Sequence, residues 1–126
     1  MNTHYLVGHN IKAKLSELSL GDNEMEHTLS QLYYRSFMEL SDNYAEALNN
    51  KDKELIRFID HKYKSTFHLL DLPNLAQEVA DGRRMVVEEE AEISTQASVV
   101  KVRNMCNFLA DQIKMYYPAL SKGIDT

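Results

Sequence analysis

Apolar side chains return every three or four positions along almost the whole chain, and only four glycines and two prolines stand among its 126 residues. That spacing puts the apolar residues on one side of an α-helix, whereas a half-buried strand alternates at every second position. Strand-like alternation is absent, so the expected fold class is all-α. A chain of this length buries roughly two-thirds of its unfolded surface, which suffices for one continuous core. Residues 1–126 are therefore expected to form a single domain.

Residues 10–18 place Ile11, Leu15 and Leu18 on one stripe, a short helix expected to pack across the end of the longer helices. Gly21 breaks that pattern. Asp22 is placed to cap the next helix, with Glu24 and Glu26 in a first turn where the helix dipole favours negative charge. Met25, Leu29, Leu32, Leu40, Tyr44 and Leu48 then follow threes and fours out to Asn49, with Phe37 beside the seam. Asp52 can cap a helix whose Leu55, Ile56, Phe58, Ile59, Tyr63, Phe67, Leu69 and Leu70 cover one broad face. Asp71 and Leu72 form a turn, and Asp71 is expected to cap the helix that Pro73 opens, where a missing N–H costs nothing. That helix carries Leu75, Ala76, Val79 and Val86 inward, is weakened by Gly82, and runs into the acidic stretch Glu88–Glu92, a solvated helix face or helix end. A last helix from about Thr95 to Tyr117 aligns Val99, Val102, Cys106, Leu109, Ile113 and Tyr116 and stops at Pro118. Long amphipathic helices on short connections imply antiparallel neighbours. The expected architecture is an antiparallel up-down-up-down four-helix bundle with an extra short N-terminal helix.

The single Cys106 lies at an apolar position and reads as a buried thiol in a reducing compartment. Met1–Gly8 lacks the basic start and apolar run of a signal peptide, and no apolar stretch approaches the ~20 residues of a membrane span. A cytoplasmic protein with no membrane partner is expected. The net charge of −5 argues against nucleic acid, whose phosphates are bound by basic surfaces. Lys51–Lys64 runs the other way, with five Lys or Arg against three Asp or Glu, a local +2 that leaves −7 for the rest.

That basic island surrounds one histidine. At about 100° per residue, Arg57, His61, Lys64 and His68 fall within about 60° of one another, opposite the apolar arc, so His61 is expected to face water. The pair Glu24 and His27 has the spacing of a carboxylate-bridged di-metal helix, but no second copy exists and the pair projects away from the apolar stripe. His4 and His9 lack metal-ligand spacing, and no glycine-rich loop is present to hold ATP. The tyrosines at 33, 34, 44, 63, 116 and 117 read as core and edge residues, without the basic interleaving of a base-stacking surface.

The run HKYKSTFHLLDLPNLAQ, His61 to Gln77, resembles the signature of histidine-containing phosphotransfer (HPt) domains: a helix bearing H-x-x-K-G, a few small or apolar residues, a turn, and a helix beginning L-x-x-L. The leucine-rich helix upstream, the NNKDKE connection and the approach LIRFID are similar to that family as well, so the resemblance covers about Leu20 to Met85. It implies a phosphorelay intermediate of two-component signalling. His61 would take a phosphoryl group from a receiver-domain aspartate and pass it to another receiver, with Lys64 giving electrostatic assistance. The resemblance further implies no autonomous kinase activity and no cofactor on this chain, because the Mg²⁺ belongs to the receiver. Implied partners are response-regulator receiver domains, including that of a hybrid sensor histidine kinase, meeting a monomer.

Around His61 the resemblance makes Arg57, Lys62 and Arg83 candidates for the docking rim. Ser65 stands where the family has Gly, His68 where a small residue is usual, and Asp71 where Gly is common at the helix end. Those departures leave an alternative, a non-catalytic helical interaction module with a degenerate HPt site.

Overall fold

The computed structural model describes residues 11–89 and 92–118, and every regular element among them is helical. In chain order these are α1 (Ile11–Leu18), α2 (Asn23–Asn49), α3 (Lys53–Lys62), α4 (Lys64–Leu69), α5 (Pro73–Val87) and α6 (Glu92–Tyr116). None is long and apolar enough to cross a membrane. His4, His9 and the stretch Met1–Gly8 lie outside the described residues.

Two of the expected caps are in place. The Asp22 side chain accepts from the Met25 N–H at 3.0 Å, and Asp52 accepts from the Leu55 N–H at 3.0 Å. Asp71 is a correction, because the residue before α5 is Leu72 and no side chain caps that helix. Asp71 instead closes α4. At φ +54° it lets its own N–H reach the His68 carbonyl at 3.2 Å and the Leu72 N–H reach the Phe67 carbonyl at 2.8 Å, a left-handed helix ending that usually takes glycine. Leu20 and Lys51 close α1 and α2 in the same way, at φ 55° and 52°.

The helix expected over residues 52–70 is two segments. Tyr63 relaxes to φ −93°, ψ 1° between α3 and α4, while its N–H still reaches Ile59 and its carbonyl still accepts from Phe67, at 3.1 and 3.0 Å. The break is thus a bend with its backbone paired. α6 begins earlier than expected, at Glu92, and Tyr116 at its end is exposed, while Met105 joins Val102, Cys106, Leu109 and Ile113 inside.

A larger correction concerns the rotation of α2. The spacing predicts Met25 and Leu32 on its inner seam, yet they are 49% and 53% exposed, and Glu26, Ser30, Tyr33 and Phe37 are buried. The physical reason is continuity. Positions 26, 30, 33, 37, 40, 44 and 48 form one unbroken series of threes and fours, which brings the large rings of Tyr33, Phe37 and Tyr44 to one face. Glu26 is tolerated there because it is matched: Tyr117 Oη donates to it at 2.5 Å, Ser16 Oγ at 2.8 Å and Lys12 Nζ at 3.2 Å. One carboxylate thereby joins α1, α2 and the residue after α6.

α2 and α6 share the most extensive helix–helix contact, α5 lies against both α6 and α3, and α1 touches α2 and α6. At the meeting of α2, α5 and α6 the Tyr44 hydroxyl lies 3.1 Å from the Glu78 carbonyl oxygen and 2.6 Å from Ser98 Oγ. Ser98 Oγ in turn donates to Glu78 Oε2 at 2.7 Å. Gly82 is required by this packing, since a Cβ there would sit 1.8 Å from Tyr44 Oη. Among the described residues no buried side-chain polar atom lacks a hydrogen-bond partner.

Candidate functional site

The candidate site is the outward arc of α3 and α4. Ile56 and Ile59 are fully buried and Tyr63 and Phe67 nearly so, which fixes the rotation of this segment and turns the opposite side to water. Arg57, His61, Lys64, Ser65 and His68 are placed on that outward side, and all five are exposed. His61 and Lys62 occupy the last turn of α3, where the helix dipole favours positive charge. The imidazole of His61 has no hydrogen-bond partner among the described residues, so both ring nitrogens are open to an incoming group. Arg57 and Lys64 likewise have no carboxylate partner among the described residues.

Lys62 and Arg83 are differently placed. Lys62 Nζ is paired with Glu39 of α2 and stands over the rings of Phe58 and Tyr63, 5.7 and 5.4 Å from their centroids. Tyr63 Oη donates to the same Glu39 oxygen at 2.7 Å. The Lys62 ammonium, and then the Tyr63 hydroxyl, hold the Glu39 carboxyl below its ordinary value, while burial, with Glu39 adding to it, raises the Tyr63 phenol. Arg83 Nη1 donates to Asp60 Oδ2 at 2.9 Å, so it ties α5 to the residue before His61. Sequence reasoning missed Glu39 and Asp60. Each pair spans 23 residues, and no helical periodicity signals it.

Two open grooves run between α3–α4 and α5. One, of ≈510 Å³, is lined by Phe67, Leu72, Ala76 and Ala80, with Lys64 and His68 also at its edge. The other, of ≈240 Å³, shares Ala80 and is bordered by Arg57, Arg83 and Arg84.

The remaining chemically capable groups are placed elsewhere. Burial pushes the Cys106 thiol up to about 12, which keeps it a neutral, inert thiol. Glu24 and His27 are both exposed, and the His27 ring faces the Gln31 amide at 3.5 Å. Among the described residues no group of three or more His, Cys, Asp or Glu converges as a metal site would require. Compared with protein-family models, with curated proteins and with solved structures, the chain matches none.

Proposed function

We propose that this chain is a phosphorelay intermediate in which His61 accepts a phosphoryl group from a receiver-domain aspartate and passes it to another receiver. The observation that carries this reading is the His61 imidazole, exposed, without an intrachain partner among the described residues and flanked by the uncommitted cations Lys64 and Arg57. A neutral ring nitrogen attacks phosphorus with its lone pair as the bond from phosphorus to the aspartyl oxygen breaks, leaving a carboxylate on the donor and a phosphoimidazole here. The reverse exchange discharges it. Nucleophile, phosphorus and leaving oxygen must lie roughly in line, which demands a side chain that protrudes into another protein. Lys64 offsets phosphoryl charge, and the Mg²⁺ that completes neutralisation is contributed by the receiver.

The framework we propose for this chemistry is an up-down-up-down antiparallel four-helix bundle of α2, α3–α4, α5 and α6, with α1 as the extra helix. Connections of a few residues between long amphipathic helices support it. Such a carrier works in the cytoplasm as a monomer and has no kinase activity of its own.

Ser65, His68 and Asp71 bear on the second reading, a bundle that binds partners without taking phosphate. Asp71 weighs little for it, because its left-handed backbone explains why glycine is usual there without any chemical role. Incubation with phosphorylated receivers and Mg²⁺ separates the readings. Acid-labile, base-stable phosphate on the wild-type chain and none on His61→Gln is the expected result. Failure of every receiver from the same cell to exchange phosphate would overturn the carrier.

A further inference from the structure

Lys62 and Tyr63, the two residues that separate His61 from Lys64, are both tied to one oxygen of Glu39 on α2. The chain bends at the second of them. Tyr63 closes α3 and opens α4 at φ −93°, ψ 1°, about 40° in ψ from a regular helix. In an unbroken helix, residues three apart are neighbours on one face by the geometry of the helix alone. Across this bend, the spacing of the His61 imidazole and the Lys64 ammonium depends instead on the backbone angles that Tyr63 adopts. Arg57 differs, because it shares α3 with His61 and is held by the helix itself.

The Tyr63 side chain anchors those angles at two points. Its ring is buried and stacks on Phe67 one turn further on, with centroids 6.4 Å apart, and its hydroxyl donates to Glu39 Oε1 at 2.7 Å. Apolar contact of the ring has no preferred direction, whereas the hydrogen bond does, so the hydroxyl is what fixes the rotation. Both groups keep the protonation that this bond needs. The Lys62 ammonium, ahead of the Tyr63 hydroxyl, lowers the Glu39 carboxyl, and burial raises the Tyr63 phenol.

We infer that Glu39 is a positioning residue for phosphoryl transfer: through the Tyr63 hydroxyl it sets the bend between α3 and α4 and so holds Lys64 in register with His61. This deepens the phosphorelay reading and rests on it. Glu39 acts through the residues between the nucleophile and its assisting cation and makes no bond to the imidazole itself. The Lys64 ammonium is useful only where the phosphoryl charge develops, and a misplacement of about 1 Å at such a site costs up to about a hundredfold in rate.

The test measures the rate at which His61 is loaded by phosphoramidate, a small phosphoryl donor that needs no docking surface. The ring nitrogen's lone pair forms the new bond to phosphorus as the donor's phosphorus–nitrogen bond breaks; ammonia leaves, and the ring proton passes to water. Full-length wild type is compared with Glu39→Ala, Glu39→Gln, Tyr63→Phe, Lys64→Ala and the double variant Tyr63→Phe/Lys64→Ala. Each of Glu39→Ala, Tyr63→Phe and Lys64→Ala is expected to slow loading about tenfold. The double variant is expected to stay at about tenfold, because a lysine already out of register is no further loss. Glu39→Gln should recover most of the rate, since its amide oxygen still accepts from the Tyr63 hydroxyl. A merely structural role for Glu39 moves the last two readings: independent losses multiply to about a hundredfold in the double variant, and Gln does no better than Ala. Either result, or undiminished loading in any of the three single variants expected to be slow, would overturn the positioning role while leaving the carrier intact. Thermal melts identify any variant that fails to fold, and the exposed Glu39 and the ring-preserving Tyr63→Phe give two independent routes to the same bond. A wild-type chain that phosphoramidate loads and that no receiver of the source cell then discharges removes the phosphorelay reading, and the positioning role with it.

Discussion

Between α2, α5 and α6, Tyr44, Ser98 and Glu78 answer one another at 2.6–3.1 Å, and Gly82 leaves room for the ring that carries the first of them. On the outward arc of α3 and α4, Arg57, His61 and Lys64 are equally capable of hydrogen bonds and make none with described side chains. In the interior every polar group must be matched, because desolvation without a partner costs about 1–3 kcal/mol. At the surface water answers for the missing partner, so uncommitted cations around an open imidazole cost little and stay available. The contrast teaches that this fold matches its polar groups inside and leaves polar groups uncommitted outside, on helices that share one core.

The contrast is broken most directly at His61. His61→Gln is expected to abolish phosphate acceptance completely while shifting unfolding free energy by no more than about 0.5 kcal/mol, as befits an exposed site; a denaturation curve beside a phosphate assay checks both. Gly82→Ala should do the opposite, costing about 3 kcal/mol by overpacking against Tyr44. Tyr44→Phe removes the nearest clashing atom, so the double variant should be less destabilised than the sum of the singles; strict additivity would show that Gly82 has another reason.

Glu26→Gln comes next, at about 1–2 kcal/mol near neutral pH, because Tyr117, Ser16 and Lys12 lose a charged acceptor. Those same groups, the Tyr117 hydroxyl foremost, hold the Glu26 carboxyl below its ordinary value. A carboxyl lowered on folding adds stability in full above its unfolded value of about 4.3 and loses it as pH falls through the lowered one. Melts between neutral pH and pH 3 should therefore show a shallower acid decline in Glu26→Gln than in wild type. The smallest effect is a gain. Asp71→Gly should stabilise by about 1 kcal/mol, relieving a left-handed residue at some cost in unfolded-chain entropy, and a lower melting temperature would show that the Asp71 side chain contributes more than its backbone costs.

How much of the fold and of the site is legible in the sequence differs by region. The periodicity of Ile56, Ile59, Tyr63 and Phe67 is enough to turn His61 outward, although Phe58 and Leu69, expected on the same apolar face, are exposed because they lie at its margins. The start of α2 misleads, since Met25 and Leu32 are apolar and Glu26 and Ser30 are polar, and hydropathy alone has no means of foreseeing that Tyr117, from the far end of the chain, will satisfy Glu26. Asp71 misleads for a related reason: an acidic residue before Pro73 looks like a cap, while the left-handed φ that it adopts leaves no mark in composition.

By itself the amino-acid sequence determined the helical class, the caps at Asp22 and Asp52, the opening of α5 at Pro73 and the outward direction of His61, all consequences of interactions within a few residues of chain. Only the tertiary structure decided that Lys62 is committed to Glu39 and Arg83 to Asp60, that Arg57 and Lys64 are left open, and that a furrow lies on one flank of His61. The physical reason is that rotation and neighbourhood are collective: a helix settles where its largest side chains pack and its buried polar groups find partners, and those partners come from distant segments that no local pattern can name.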